Sequence, residues 1–302
     1  MENLNKGALI MKKLLLLLLI VPLLISCGKN EDKDKDAEKK NYISTLEYTN
    51  LGKMGDLDGP AFAVYSKVGY NGASVVMDIE NMEINTVLPN GKFLNGYAFL
   101  GIDVYDALSA SSWVNCVDVG LCWAGPTGGW HVFYSIYDTL NENTPVWYES
   151  SVILPKDDVY TMSLTLTENN YALLTVEGQK TGVKDEVRLE VKGAYADGST
   201  TSFYFNTALD YPPNTKIGQD GKFSKDFVDI TLANTDKGIY MRSFHVKELK
   251  LYQNETALDW TTDKSIAISI WPDQKEKEFD YSPTVVELFD GTEYIIDFDM
   301  NR

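Results

Sequence analysis

From about residue 60 onward, apolar and polar residues alternate with a period of two over most of the chain. The clearest stretch is YTMSLTLTENNYALLTVEG, residues 160–178. In a strand, positions i and i+2 share a face. Tyr160, Met162, Leu164 and Leu166 are therefore predicted to face a core, and Thr161, Ser163, Thr165 and Thr167 to face away. Glu168, Asn169 and Asn170 supply a turn, and residues 171–177 return as the second strand of a hairpin. Similar runs include AFAVYSKV, GASVVMDI, YAFLGIDVY, WHVFYSIY, TSFYFNTA and IYMRSFHVKELKLY. Turn pairs punctuate them at Asn71-Gly72, Asn90-Gly91, Asp197-Gly198 and Asp290-Gly291. No long stretch carries a helical period, and there is no internal repeat. A dozen or more strands in one chain predict an all-β fold, a large antiparallel sandwich. The main sandwich is placed at residues 41–253. Residues 254–302 are read as a β extension packed on the same sandwich.

The first 40 residues break the pattern. Leu14 to Ile25 is a 12-residue run of apolar side chains interrupted only by Pro22, behind Met11-Lys12-Lys13. It is shorter than the ~20 residues of a membrane-spanning helix and has the order of a secretory signal. Its end, Leu24-Ile25-Ser26-Cys27, resembles the lipobox of bacterial lipoproteins. The resemblance implies that residues 1–26 are removed and that Cys27 carries acyl chains, which hold the protein to a membrane without spanning it. Residues 28–40, GKNEDKDKDAEKK, have no apolar period and read as a charged tether. Its typical reach is about 20 Å. The acids soon after Cys27 are similar to signals that send some Gram-negative lipoproteins to the cell surface; a plain solvated spacer is the other reading. The expected location is the cell envelope, at the outer membrane.

The whole chain has 27 basic and 44 acidic residues. Setting aside the leader and the balanced tether leaves 19 basic and 38 acidic residues in 41–302, a net charge of −19. Such a surface does not bind nucleic acid and repels anionic polymers. A neutral glycan or a peptide is the better partner. Cys116 and Cys122 are the only cysteines left after Cys27. In an exported protein they are expected to form a disulfide that pins a bend. The two histidines, His131 and His245, do not stand at zinc-ligand spacing, so neither a metal nor a cofactor is expected.

The order YAFLGIDVYD, CVDVGL, GWHVFYSIY, PVWYESSVILP and GIYMRSFHVKELKLY, over residues 60–253, resembles a concanavalin A-like jelly roll. In detail it is similar to the glutamic peptidases called eqolisins. Gly101-Ile102-Asp103 and Trp147-Tyr148-Glu149 match that family's segments as written. The resemblance implies that Glu149 activates water. The family's glutamine falls on Asp118, and an ionised aspartate has no proton to offer an oxyanion.

Three chemistries follow. Trp123, Trp130, Trp147 and Tyr148 suggest an aromatic surface that stacks on sugar rings, with at least one of Trp123 and Trp130 exposed; the competing reading is that such aromatics fill the core. Glu149 and Asp118 suggest a peptidase pair sharing a proton. Asp78, Glu80 and Glu83, in MDIENME, suggest a glycosidase pair on a bulged strand, or else a solvated strand edge. The leading expectation is an envelope-anchored glycan-binding protein. A hydrolase or a structural, protein-binding lipoprotein are the alternatives.

Overall fold

A computed structural model describes residues 60–89, 91, 93–106, 109–125, 128–137, 147–210, 238–271 and 284–300. The proposed leader, Cys27 and the tether lie outside the described residues. The described chain is β throughout, apart from one 3-10 turn at Thr262–Lys264. In chain order the strands are β1 (Ala61–Ser66), β2 (Gly72–Asp78), β3 (Glu83–Asn85), β4 (Asn95–Asp106), β5 (Ser109–Trp123), β6 (Trp130–Tyr137), β7 (Trp147–Glu149) and β8 (Val159–Glu168). They continue as β9 (Tyr171–Gly178), β10 (Lys184–Glu190), β11 (Thr201–Asp210), β12 (Tyr240–Gln253), β13 (Thr256–Asp259), β14 (Ser265–Trp271), β15 (Thr284–Asp290) and β16 (Glu293–Asp299).

They build two antiparallel sheets. One has seven strands in the order β14-β1-β11-β4-β5-β6-β7. The other has nine, β10-β9-β8-β2-β12-β16-β15, with β3 and β13 also paired to β12. This is the antiparallel sandwich that the period of two predicts, with the jelly-roll form that the resemblance implies. The C-terminal strands are integral to it: β14 closes one sheet edge against β1, and β16 pairs β12.

One core lies between the sheets. Val117, Val119 and Leu121 of β5, and Leu100 and Ile102 of β4, face Val75 and Met77 of β2 and Val246 and Leu249 of β12 within a single apolar cluster. Tyr160, Met162, Leu164 and Leu166 point into it as predicted, and all are buried. The β8–β9 hairpin turns at Asn170, whose φ of 67° is one that asparagine tolerates. Gly198 shows why a turn pair was needed: a Cβ there would stand 1.9 Å from the carbonyl oxygen of Tyr70.

Two expectations fail here. Cys116 and Cys122 are both free. They lie on one continuous strand, β5, with no bend between them. Six residues at ~3.3 Å each put their Cα atoms about 20 Å apart, far beyond the ~7 Å a disulfide spans. Trp123 and Trp130 are the second correction. Both are buried in the core, at 7% and 0% exposure, and they meet edge to face at 5.7 Å. Strand alternation turns both toward the opposing sheet, so neither is available to a ligand.

Candidate functional site

Among the described residues, the main core takes one face of the seven-stranded sheet. The other face carries the alternate residues of the same strands, and the chemistry gathers there. Tyr97, Phe99, Cys122, Phe133 and Tyr204 form a second, smaller apolar cluster on it, with Tyr65, Cys116 and Trp147 packed against its margin. Phe99 and Phe133 meet edge to face at 5.8 Å.

Beside this cluster stands a pair of carboxylates. Asp103 on β4 is directly opposite Cys116 on β5, and Gly101 is directly opposite Asp118. Asp103 and Asp118 are thus diagonal neighbours on one face, at a Cα spacing of about 7–8 Å. A short hydrogen-bonded chain joins them. Tyr204 donates its phenol proton to Asp118, and its oxygen is 3.2 Å from Cys116 Sγ. The Cys116 thiol in turn bonds Asp103. Gly101 makes this possible. The Tyr204 ring passes over it from β11, and a Cβ at 101 would lie 2.0 Å from that ring.

Burial pushes the Asp103 carboxyl up to about 7; the Cys116 hydrogen bond opposes the shift and the charge of Asp118 adds to it. Asp103 therefore keeps a proton at pH values where an ordinary aspartate has lost it. Burial, reinforced by the neighbouring carboxylates, also holds Cys116 and Tyr204 far above their usual ranges. Cys116 is then a protonated thiol, a hydrogen-bonding spacer rather than a nucleophile. Asp103 is 6% exposed, whereas Asp118 and Cys116 are partly open.

The family resemblance led to a different partner for Asp118. Glu149 does face the same side, since it is opposite Phe133 on β6. It sits on β7, however, two strands from Asp118, which is about 10 Å in the hydrogen-bonding direction. It is exposed, and its charge acts on Cys122, whose thiol is raised first by burial and then by Glu149. The carboxylate that Asp118 couples to is Asp103. Asp103 was visible in the Gly-Ile-Asp match, but its pairing needs the β4–β5 register. Tyr204, about 100 residues away in sequence, carried no signal at all.

Trp147 lies on this same face, half-buried against Phe133 at 5.3 Å. Tyr148 points the other way and stacks on Tyr134 at 5.1 Å. The two cannot form one platform, because neighbours along a strand face opposite sides. His131 also belongs to this face, opposite Cys122. Its Nδ1 is 3.0 Å from the Ser150 carbonyl, which can only accept, so Nδ1 carries the proton. Its Nε2 is then an acceptor, buried and without a hydrogen-bond partner.

The acidic stretch of β2 and β3 belongs to the other sheet. Asp78 pairs with Lys247 at 2.6 Å, Glu80 with Lys180, and Glu83 with Arg242 at 3.4 Å. Three carboxylates with three separate cations make a salt-bridged surface, and the structure gives them no shared site. No group of three or more metal-ligating side chains occurs among the described residues.

Comparison with known proteins gives a likeness of fold. No family model and no curated protein matches the chain. Among solved structures, scytalido-glutamic peptidase with a transition state analog inhibitor aligns at 14% identity and a TM-score of 0.49, over 80% of this chain and all of that one. SCP-B, a member of the eqolisin family of peptidases in complex with a tripeptide, aligns at 11% identity and 0.45 over the same shares. Aspergilloglutamic peptidase from Aspergillus niger aligns at 11% identity and 0.35, over 67% of this chain and 98% of its own.

Proposed function

We propose that this protein is a lipid-anchored hydrolase of the cell envelope, acting on a neutral polymer at the outer face of the seven-stranded sheet. The observation that supports it is the Asp103–Asp118 pair. One member is buried and holds its proton to about pH 7; the other is partly open and accepts a hydrogen bond from Tyr204. Two carboxyl groups with environments pushed apart are what an acid and a base require. Asp103 serves as the proton donor to a leaving group. Asp118 takes the proton of attacking water or attacks directly. Anchoring through Cys27 rests on the lipobox resemblance and places the site in the envelope.

The test incubates the mature chain with neutral glycans and with unfolded proteins between pH 4 and 8. Released reducing ends or peptides, lost in Asp118→Asn, support the reading. No release from any substrate overturns it. A second reading is a glycan-binding protein without turnover. The deep burial of Asp103 and Tyr204 favours it, since a general acid must reach its substrate.

A further inference from the structure

Six residues form one continuous row across six strands of the seven-stranded sheet. Tyr65 on β1 is opposite Tyr204, Tyr204 opposite Gly101, Gly101 opposite Asp118, Asp118 opposite Ser135, and Ser135 opposite Trp147 on β7. The row runs perpendicular to the strands. Five inter-strand steps give it a length of about 24 Å. Its two ends are aromatic and half-buried, Tyr65 and Trp147. Its middle is Asp118, about 14 Å from one end and about 10 Å from the other.

We infer that this row is the seat of a neutral, hydroxyl-rich glycan chain lying across the strands, with sugar rings on Tyr65 and Trp147 and the linkage to be cleaved over Asp118. The inference rests on the reading that this face is the functional site, and it names the substrate class. Three observations carry it. First, the face offers acceptors in excess. Asp103, Asp118 and Glu149 lie on it, and no lysine or arginine stands at its described positions. A polymer bearing carboxylates or sulfates is repelled there, whereas hydroxyl groups supply the donors that carboxylates need. Second, Asn206 is two residues from Tyr204 on the same side of β11, directly opposite Phe99. It is 5% exposed, and its Oδ1 has no hydrogen-bond partner. A buried acceptor left unpaired is costly, and a sugar hydroxyl alongside the row would satisfy it. Third, aromatic rings at both ends present flat apolar surfaces to the C–H faces of sugar rings.

The test uses the mature chain carrying Asp118→Asn, so that ligand is not consumed. Neutral oligosaccharides of two to eight units are titrated calorimetrically, beside oligogalacturonates and an uncharged octapeptide. Binding to at least one neutral series is expected, rising more than tenfold between two and about six units. Trp147→Ala and Tyr65→Ala should each lower the affinity for the long ligand at least tenfold and leave the dimer's little changed. Tyr65→Phe, which keeps the ring against Tyr204, should bind like its parent and guards against misfolding. Oligogalacturonates should not bind. Failure to bind any neutral oligosaccharide, preference for the octapeptide, or indifference to both aromatic variants would each overturn the inference. The two proposals fail separately. Tight glycan binding with no turnover by the unmodified chain ends the hydrolase reading and keeps the row. Asp118-dependent cleavage of peptides does the reverse.

Discussion

Two of the buried aspartates among the described residues, Asp158 and Asp103, live under opposite conditions. Asp158 is fully buried just ahead of β8. It accepts hydrogen bonds from the backbone N–H groups of Val159 at 2.7 Å, Lys180 at 2.9 Å and Thr181 at 3.1 Å, and from the Thr181 hydroxyl. Burial alone would raise its pKa, but these four donors outweigh it and hold the carboxyl below its usual range. Asp103 is nearly as buried, yet its side-chain partner is a thiol and its neighbour another carboxylate. One site stabilises a charge to tie the strand entering β8 to the turn after β9. The other keeps a charge from forming. Burial does not by itself separate structure from chemistry; the donors around the carboxylate do.

The largest expected effect falls on the paired site. Asp118→Asn should cut turnover by about 10²–10⁴-fold, with a melting temperature close to the parent's. Asp158→Asn should leave the turnover of the folded protein unchanged. If both variants lose activity equally at full folding, the contrast between the two sites is lost.

Stability should show the inverse ranking. Asp158→Ala leaves three backbone N–H groups and the Thr181 hydroxyl without their acceptor and is expected to cost about 2–4 kcal/mol, read by urea unfolding at pH 7. The folded pKa of Asp158 is depressed, so its contribution is present above the unfolded value near 4 and fades as pH falls through the folded one. The parent should lose this increment in acid, and the variant should have none to lose. A variant as stable as the parent at pH 7 would show that water replaces the carboxylate.

Asp103 should act with the opposite sign. Its folded pKa of about 7 lies above the unfolded value, so the protein loses stability as pH rises from about 4 to 7. Asp103→Asn removes that loss. At pH 8 it should be more stable than the parent by up to about 4 kcal/mol, with little difference at pH 4. It should also abolish turnover. Equal unfolding curves at pH 8 would place the Asp103 titration elsewhere.

The smallest effect is expected at the salt-bridged surface. Glu83→Gln breaks one arm of an exposed pair, while Arg242 retains Asp299 at 2.8 Å. The change in stability should stay below ~1 kcal/mol, with no change in turnover. A large loss of activity there would reopen the nine-stranded sheet as a site.

Much of the sandwich was legible from pattern. The faces of β8 and β9, their turn at Asn169 and Asn170, and most strand positions follow from a period of two, because alternate side chains must take opposite sides of a pleated sheet. The same rule misled where it was not applied. Cys116 and Cys122 have the same parity on a run of alternating residues, and that spacing already describes an extended strand. A short sequence gap suggested proximity, but an extended backbone converts it to distance. For Trp123 and Trp130 the glycine-rich stretch between them suggested a surface bend. The stretch does leave β5 and enter β6, but both tryptophans are the inward members of their strands and close the core beneath it.

By itself, the sequence determined the all-β class and the strand faces, since each depends on neighbours a few residues apart, and the acidity of residues 41–302, which is a matter of composition. Tertiary structure alone decided which carboxylates meet. Asp103 finds Asp118 through the register of β4 with β5, and Tyr204 reaches Asp118 from β11 only because Gly101 has no side chain. Register is set by the summed packing of whole strands against the opposite sheet. No local motif records it, and the row from Tyr65 to Trp147 exists only after six strands have been aligned.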